Sequence, residues 1–122
     1  MTEATAPLLE VSGLEVTFAV RKRAVPAVRG VSLRIDPGEA VGLVGESGSG
    51  KTMTAMSLLR LLPGHCTVRG SIRFGRDDLL GLGERSFRHI RGRDIALVSQ
   101  NAMVAFNPMI TVGNQIVEAI LA

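Results

Sequence analysis

The chain has 122 residues, enough for one modest domain or part of a larger one, and 46% of them are hydrophobic, enough to build a real core. Only 3% are aromatic, with no Trp or Tyr, so aliphatic packing has to dominate, as suits a parallel sheet covered by helices. The net charge of +3 rests on arginine and fits an anionic nucleotide as well as nucleic acid; one cysteine excludes an internal disulfide, and no apolar run approaches the ~20 residues that span a bilayer.

Met1 to Pro7 lacks a basic stretch followed by an apolar one, so it does not read as a secretory signal. Leu8 to Phe18 alternates imperfectly between apolar and polar residues, as does Ala27 to Ile35, and Arg21-Lys22-Arg23 lies between them. This pattern predicts two strands joined by an exposed turn. Asp36-Pro37-Gly38-Glu39 is a tight turn leading into the apolar run Ala40-Val41-Gly42-Leu43-Val44, which is expected to be a buried strand.

Directly after that run stands Gly45-Glu46-Ser47-Gly48-Ser49-Gly50-Lys51-Thr52, a complete G-x-x-x-x-G-K-[ST] phosphate loop. Such a loop works as the link between a strand and a helix. Its glycines let the backbone bring N–H groups close to phosphate oxygens, and Ser47 and Ser49 stay small between them. The anion then sits at a helix N-terminus, where unpaired N–H groups and the macrodipole both favour negative charge. Lys51 is expected to reach the β- and γ-phosphates of a nucleotide as a point charge, and the Thr52 hydroxyl to be a ligand of Mg²⁺. The phosphate-contacting set runs from Gly45 through Thr52, with Met53 next in the first helical turn.

Met53, Ala55, Met56, Leu58, Leu59, Leu61 and Leu62 fill more than one helical face, which predicts a deeply buried helix from Lys51 to Leu62, ended by Pro63-Gly64. The methionines are read as core filler rather than a soft-metal site. His65 and Cys66 lack the spacing of a metal site and are read as loop. Val68 to Phe74 is a short strand, Asp77 to Leu82 a turn or brief helix, and Glu84 to Arg91 a helix. Arg85, Arg88 and Arg91 lie on the outer faces of that helix; with Arg93 they read as a solvated surface.

Asp94-Ile95-Ala96-Leu97-Val98-Ser99 is a second expected buried parallel strand. Gln100 leaves its C-terminal end. Ligands of open α/β sheets bind outside the carboxyl ends of the strands, so Gln100 and the phosphate loop are expected to face one site. Thr111 is the expected N-cap of a last helix with Ile116, Val117, Ile120 and Leu121 on one face; no capping signal precedes Ala122.

Three stretches together, Val44 to Thr52, Ile90 to Gln100 and Phe106 to Ile116, resemble the ATP-binding subunits of ABC transporters, most closely the oligopeptide and dipeptide importer group. The resemblance implies an α/β phosphate-loop NTPase nucleotide-binding domain of ABC type, truncated, with an N-terminal antiparallel β portion. Residues 1–122 correspond to the first part of such a domain. The signature motif, the Walker B strand with its catalytic glutamate and the switch histidine would follow Ala122, and neither His65 nor His89 takes the histidine's place.

By the same resemblance Gln100 is the Q-loop glutamine, which reaches Mg²⁺ and the attacking water, and the loop after it meets the membrane-spanning subunits. An amide can do this without changing its own charge. The intact parent is then expected to be a peripheral ATPase at the cytoplasmic face of the membrane. It would pair with a second ATP-binding subunit, drive peptide import and bind no nucleic acid. Two other readings stay open at this level: a nucleotide-binding or interaction module without turnover, and a soluble ATPase of the family acting on nucleic acid.

The departures from the family pattern are local. Asn101-Ala102 replaces the usual acidic residue and proline, and Asn114 stands where a glutamate would complete a capping box with Thr111. Many members stack adenine on an aromatic residue after the first strand; here Phe18 is the only aromatic nearby, and core burial is its equal alternative.

Overall fold

The computed structural model describes residues 6–121. Its first two strands, β1 (Leu9–Val20) and β2 (Arg23–Ile35), form an antiparallel hairpin. Arg21 and Lys22 make the two-residue turn, with φ of 46° and 65°. Positive φ at both central residues matches the right-handed twist of the strands, so the exposed basic turn is formed without the usual glycine or asparagine.

The imperfect alternation of β1 has a local cause. Leu9 and Val11 are buried, then Leu14 and Val16, so the inward phase changes parity between Val11 and Leu14. The register shifts there against both neighbouring strands, at Gly13, whose φ is 56°. One inserted residue flips the face a strand presents, and this bulge keeps both halves turned to the core. Gly70 lies opposite; a Cβ on it would come within 2.5 Å of the Gly13 carbonyl oxygen.

The sheet continues with β3 (Cys66–Phe74) on the other side of β1 and the short β4 (Asp77–Asp78), giving the order β2-β1-β3-β4, antiparallel throughout. One face is covered by α1 (Lys51–Leu58) and α2 (Glu84–Ile90), and the core joins Leu9, Val11, Leu14, Val16, Val28, Ile72 and Leu79 to Phe87 and Ile90 of α2. This is the antiparallel portion expected from the sequence.

The two expected parallel strands are not formed. Residues 40–46 have no ladder partner, and residues 94–99 contribute only the bridge between Arg91 and Ile95. Val44 and Val98 are each 93% exposed. Their apolar runs have strand composition, but a strand exists only where another pairs with it.

α1 is also shorter and less buried than expected. It ends at Leu58 rather than Leu62, and its most buried positions are Thr54 and Ser57, whose hydroxyls donate back to Gly50 O at 2.9 Å and Met53 O at 2.6 Å. The stop is a Schellman motif: Leu61 N donates to Met56 O at 3.0 Å and Arg60 N to Ser57 O at 3.2 Å. Arg60 holds the left-handed position, φ 51°, which costs a non-glycine residue about 1–2 kcal/mol.

Two helices follow the bridge, α3 (Ala102–Ala105) and α4 (Val112–Leu121). Asn114 N donates to the Thr111 hydroxyl oxygen at 3.4 Å, the cap expected of Thr111, and Ile116, Val117, Ile120 and Leu121 remain exposed. Among the described residues no helix is long and apolar enough to cross a membrane.

Candidate functional site

The chain reaches the phosphate loop through Asp36-Pro37-Gly38-Glu39. That turn is closed by Glu39 N donating to Asp36 O at 3.1 Å and by Asp36 N donating to the Glu39 carboxylate at 2.7 Å. The loop itself folds back where Ser49 N donates to Glu46 O at 3.2 Å. Gly48 and Gly50 stand at φ 78° and 93°, a region that side-chain-bearing residues enter only at a cost.

Gly50 is the N-cap of α1 and brings no capping side chain. A Cβ on it would lie 2.5 Å from Ala27 O of β2, so the start of the helix is pressed against the hairpin. A Cβ on Gly45 would lie 2.6 Å from Ser49 Oγ and 3.8 Å from Lys51 Nζ, inside the loop. The missing side chains leave a cradle lined by main chain.

Lys51 Nζ occupies the mouth of that cradle, donating to Gly45 O at 2.7 Å, Glu46 O at 2.6 Å and Ser49 Oγ at 3.2 Å. All three ammonium protons have acceptors, yet every acceptor is neutral, and among the described residues no carboxylate pairs with Lys51. The positive charge is positioned but not cancelled. Among the described residues the N–H groups of Gly48, Gly50, Lys51, Thr52 and Met53 donate to no main-chain acceptor. Free donors, a helix N-terminus and an uncompensated ammonium at one place fit a polyphosphate. Thr52 is exposed on the first turn of α1, beside Lys51.

Gln100 is exposed in a bend just ahead of α3, and no hydrogen bond joins it to the phosphate loop. The expected meeting of the two is therefore not made within the described residues, because residues 96–99 that carry Gln100 have no partner strand to aim them. At Asn101-Ala102, where the resemblance expects an acidic residue and proline, the helical turn α3 begins instead. Phe18 is half-buried near the end of β1, packs against the core and meets the His65 ring at a centroid distance of 6.0 Å.

The outer arginines do not act as one uniform surface. Arg85, Arg88, His89, Arg91 and Arg93 line an open cleft of 820 Å³ closed by Ile120, but Arg93 is paired with Asp94 at 3.1 Å and Arg91 turns toward Glu84 at 3.4 Å.

Two side chains went unnoticed in the sequence. Arg60 binds the carbonyls of Leu79 and Leu82, the latter at 2.7 Å. Gln115 knots the loop before α4, accepting from Asn107 N at 2.8 Å and donating to Asn107 O at 3.0 Å and Ile110 O at 2.8 Å. Asn107-Pro108 was the available signal for the second, as a turn whose polar groups need partners; the first had none.

Comparison with known proteins identifies the family. The family model described as ABC transporter matches residues 28–120. The oligopeptide transport ATP-binding proteins OppD of Mycobacterium bovis and Mycobacterium tuberculosis are each 50% identical over 115 residues, 94% of this chain and 19% of the relative. A Brucella abortus protein named for peptide import ATP binding is 46% identical over 117 residues, 95% of this chain and 35% of the relative. The chain thus spans about a fifth to a third of the length of these relatives. A glycine cradle, an uncompensated lysine and a match that runs through both place the chain in the ABC transporter family.

Proposed function

We propose that these residues are the phosphate-gripping part of an ABC-transporter motor subunit, whose intact form hydrolyses ATP to import peptides through separate membrane subunits. The observation that carries the reading is Lys51 Nζ, held over the glycine cradle by three neutral oxygens with no carboxylate to cancel it. The family match and the printed names of the relatives support the transported class.

In this reading the main chain from Gly45 to Gly50 wraps the phosphates, the N–H groups up to Met53 donate to them, and Lys51 exchanges its carbonyl acceptors for phosphate oxygens. Mg²⁺, when bound, neutralises charge shared by the β- and γ-phosphates. The Thr52 hydroxyl is its proposed ligand, joined by the Gln100 amide oxygen, and Gln100 also orients water. The half-buried Phe18 ring is the proposed surface for adenine, in competition with its His65 contact. The loop after Gln100 is the proposed contact with the membrane subunits, a second ATP-binding subunit completes the motor, and the assembly sits at the cytoplasmic face. Residues 1–122 form the N-terminal part of one such domain.

Lys51→Ala is expected to weaken Mg-ATP binding about ten- to hundredfold, since a hydrogen bond to a charged group contributes roughly 1.5–3 kcal/mol. Calorimetric titration measures it; unchanged affinity rules out this loop as the grip. Thr52→Ala is expected to weaken binding of Mg-ATP more than that of metal-free ATP, because only the former uses the hydroxyl as a ligand. Equal losses with and without Mg²⁺ remove Thr52 from the metal site.

A further inference from the structure

α1 carries the phosphate-gripping residues at its start and Arg60 just past its end. A glycine is the default at the left-handed position where Arg60 stands, so its side chain has to repay a strained backbone. It does so by lying over the Phe87 ring, with the guanidinium carbon 4.4 Å from the centroid, while donating to Leu79 O and Leu82 O. Arg91, just past the end of α2, lies over the same ring at 5.0 Å and donates through Nε to Leu59 O at 3.1 Å, back into the end of α1. Glu84 is shared as well, 3.4 Å from Arg91 Nη1 and 4.0 Å from Arg60 Nη1. Phe87 is fully buried beneath them. Planar guanidinium groups stacked on a ring and hydrogen-bonded at their edges fix orientation as well as distance.

Directly after Arg91 the chain makes a closed turn. Asp94 N and Ile95 N both donate to Ile90 O, at 2.9 and 3.0 Å, and Gly92 N donates to Ile95 O at 2.8 Å, with Gly92 at φ 88°. From Ile95 the chain runs to Gln100 without a ladder partner.

We infer that Arg60 and Arg91, sharing Phe87 and Glu84, are positioning residues that set the direction of the Gln100 segment relative to the phosphate loop. The inference rests on the reading of Gln100 as the residue that orients water and Mg²⁺. Held extended by a partner strand, the five residues after Ile95 would reach about 17 Å, so a tilt of about 10° at the turn would move the glutamine by about 3 Å. A displacement of 1 Å at a reacting centre already costs about a hundredfold in rate, so the clamp acts on turnover and not on phosphate grip.

The test uses the full-length ATPase, with steady-state kinetics, ATP titration with and without Mg²⁺, and thermal melts of Arg91→Ala, Gln100→Ala and the double variant. Arg91→Ala is expected to lower kcat about tenfold or more while Kd for metal-free ATP, whose binding does not use Gln100 as a ligand, stays within about twofold, and the double variant is expected to be no slower than Gln100→Ala alone. Losses that multiply in the double variant, or a loss of affinity with kcat unchanged, overturn the inference. Arg60→Gly guards against misfolding: it keeps the left-handed cap, deletes the guanidinium, and is expected to show the same lowered kcat with a cooperative melt. A wild-type kcat in Arg60→Gly also overturns it. Lys51→Ala runs alongside: if it binds Mg-ATP normally, the nucleotide reading itself has failed, whereas weakened binding together with multiplying losses brings down the clamp alone.

Discussion

Purified on their own, the 122 residues are expected to release phosphate from ATP no faster than their Lys51→Ala variant. Holding phosphate is a different task from stabilising the charge that develops on it. A single added cationic group across the site changes phosphoryl-transfer rates by about 10³ to 10⁵, and the water must also be activated. In the proposed reading Lys51 and Thr52 supply the grip. Gln100 is an amide, which aligns water but takes no proton from it, and in the structure it makes no hydrogen bond to the loop. A phosphate-release assay comparing the two proteins decides the matter, and turnover that disappears with Lys51→Ala would show that the chain is an enzyme by itself.

What the sequence revealed were features determined over a few neighbouring residues. The phosphate loop declares itself because each fixed position answers one local demand: left-handed backbone at Gly48 and Gly50, room at Gly45, charge at Lys51. The hairpin was legible for the same reason, and even its faulty alternation was a true signal of the bulge at Gly13. What failed was pairing across distance. Ala40 to Val44 and Asp94 to Ser99 have the composition of buried strands, but composition names a preference and the ladder needs a partner. The end of α1 was misplaced because Pro63-Gly64 is a conspicuous stop, whereas the actual stop depends on Arg60 accepting a left-handed backbone alongside contacts with Leu79, Leu82 and Phe87, about 20 to 27 residues away. The fate of Gln100 followed from the same omission, since a site residue at the tip of a strand is placed only as well as the strand.

Those unpaired segments give the second large effect. The 122 residues alone are expected to self-associate rather than to run as a monomer. Residues 40–46 and 96–99 present main-chain donors and acceptors with no ladder partner, and they do so beside exposed Leu43, Val44, Leu97 and Val98. Exposed apolar segments with free edges are templates for pairing with another chain. Met103, Met109, Ile120 and Leu121 add further exposed aliphatic surface, whereas the sheet and α2 already have a core of their own. The association should therefore proceed through the apolar runs without first unfolding the hairpin. A charge placed within an edge blocks such pairing, so Val98→Lys, at a side chain that touches almost nothing, is expected to shift the population toward smaller species without lowering the melting temperature. Size-exclusion chromatography with light scattering, alongside thermal melts of the wild type and the variant, measures both halves of this expectation; a monodisperse wild-type monomer with a sharp melt would mean that these segments find partners within the chain and that their exposure does not govern its behaviour.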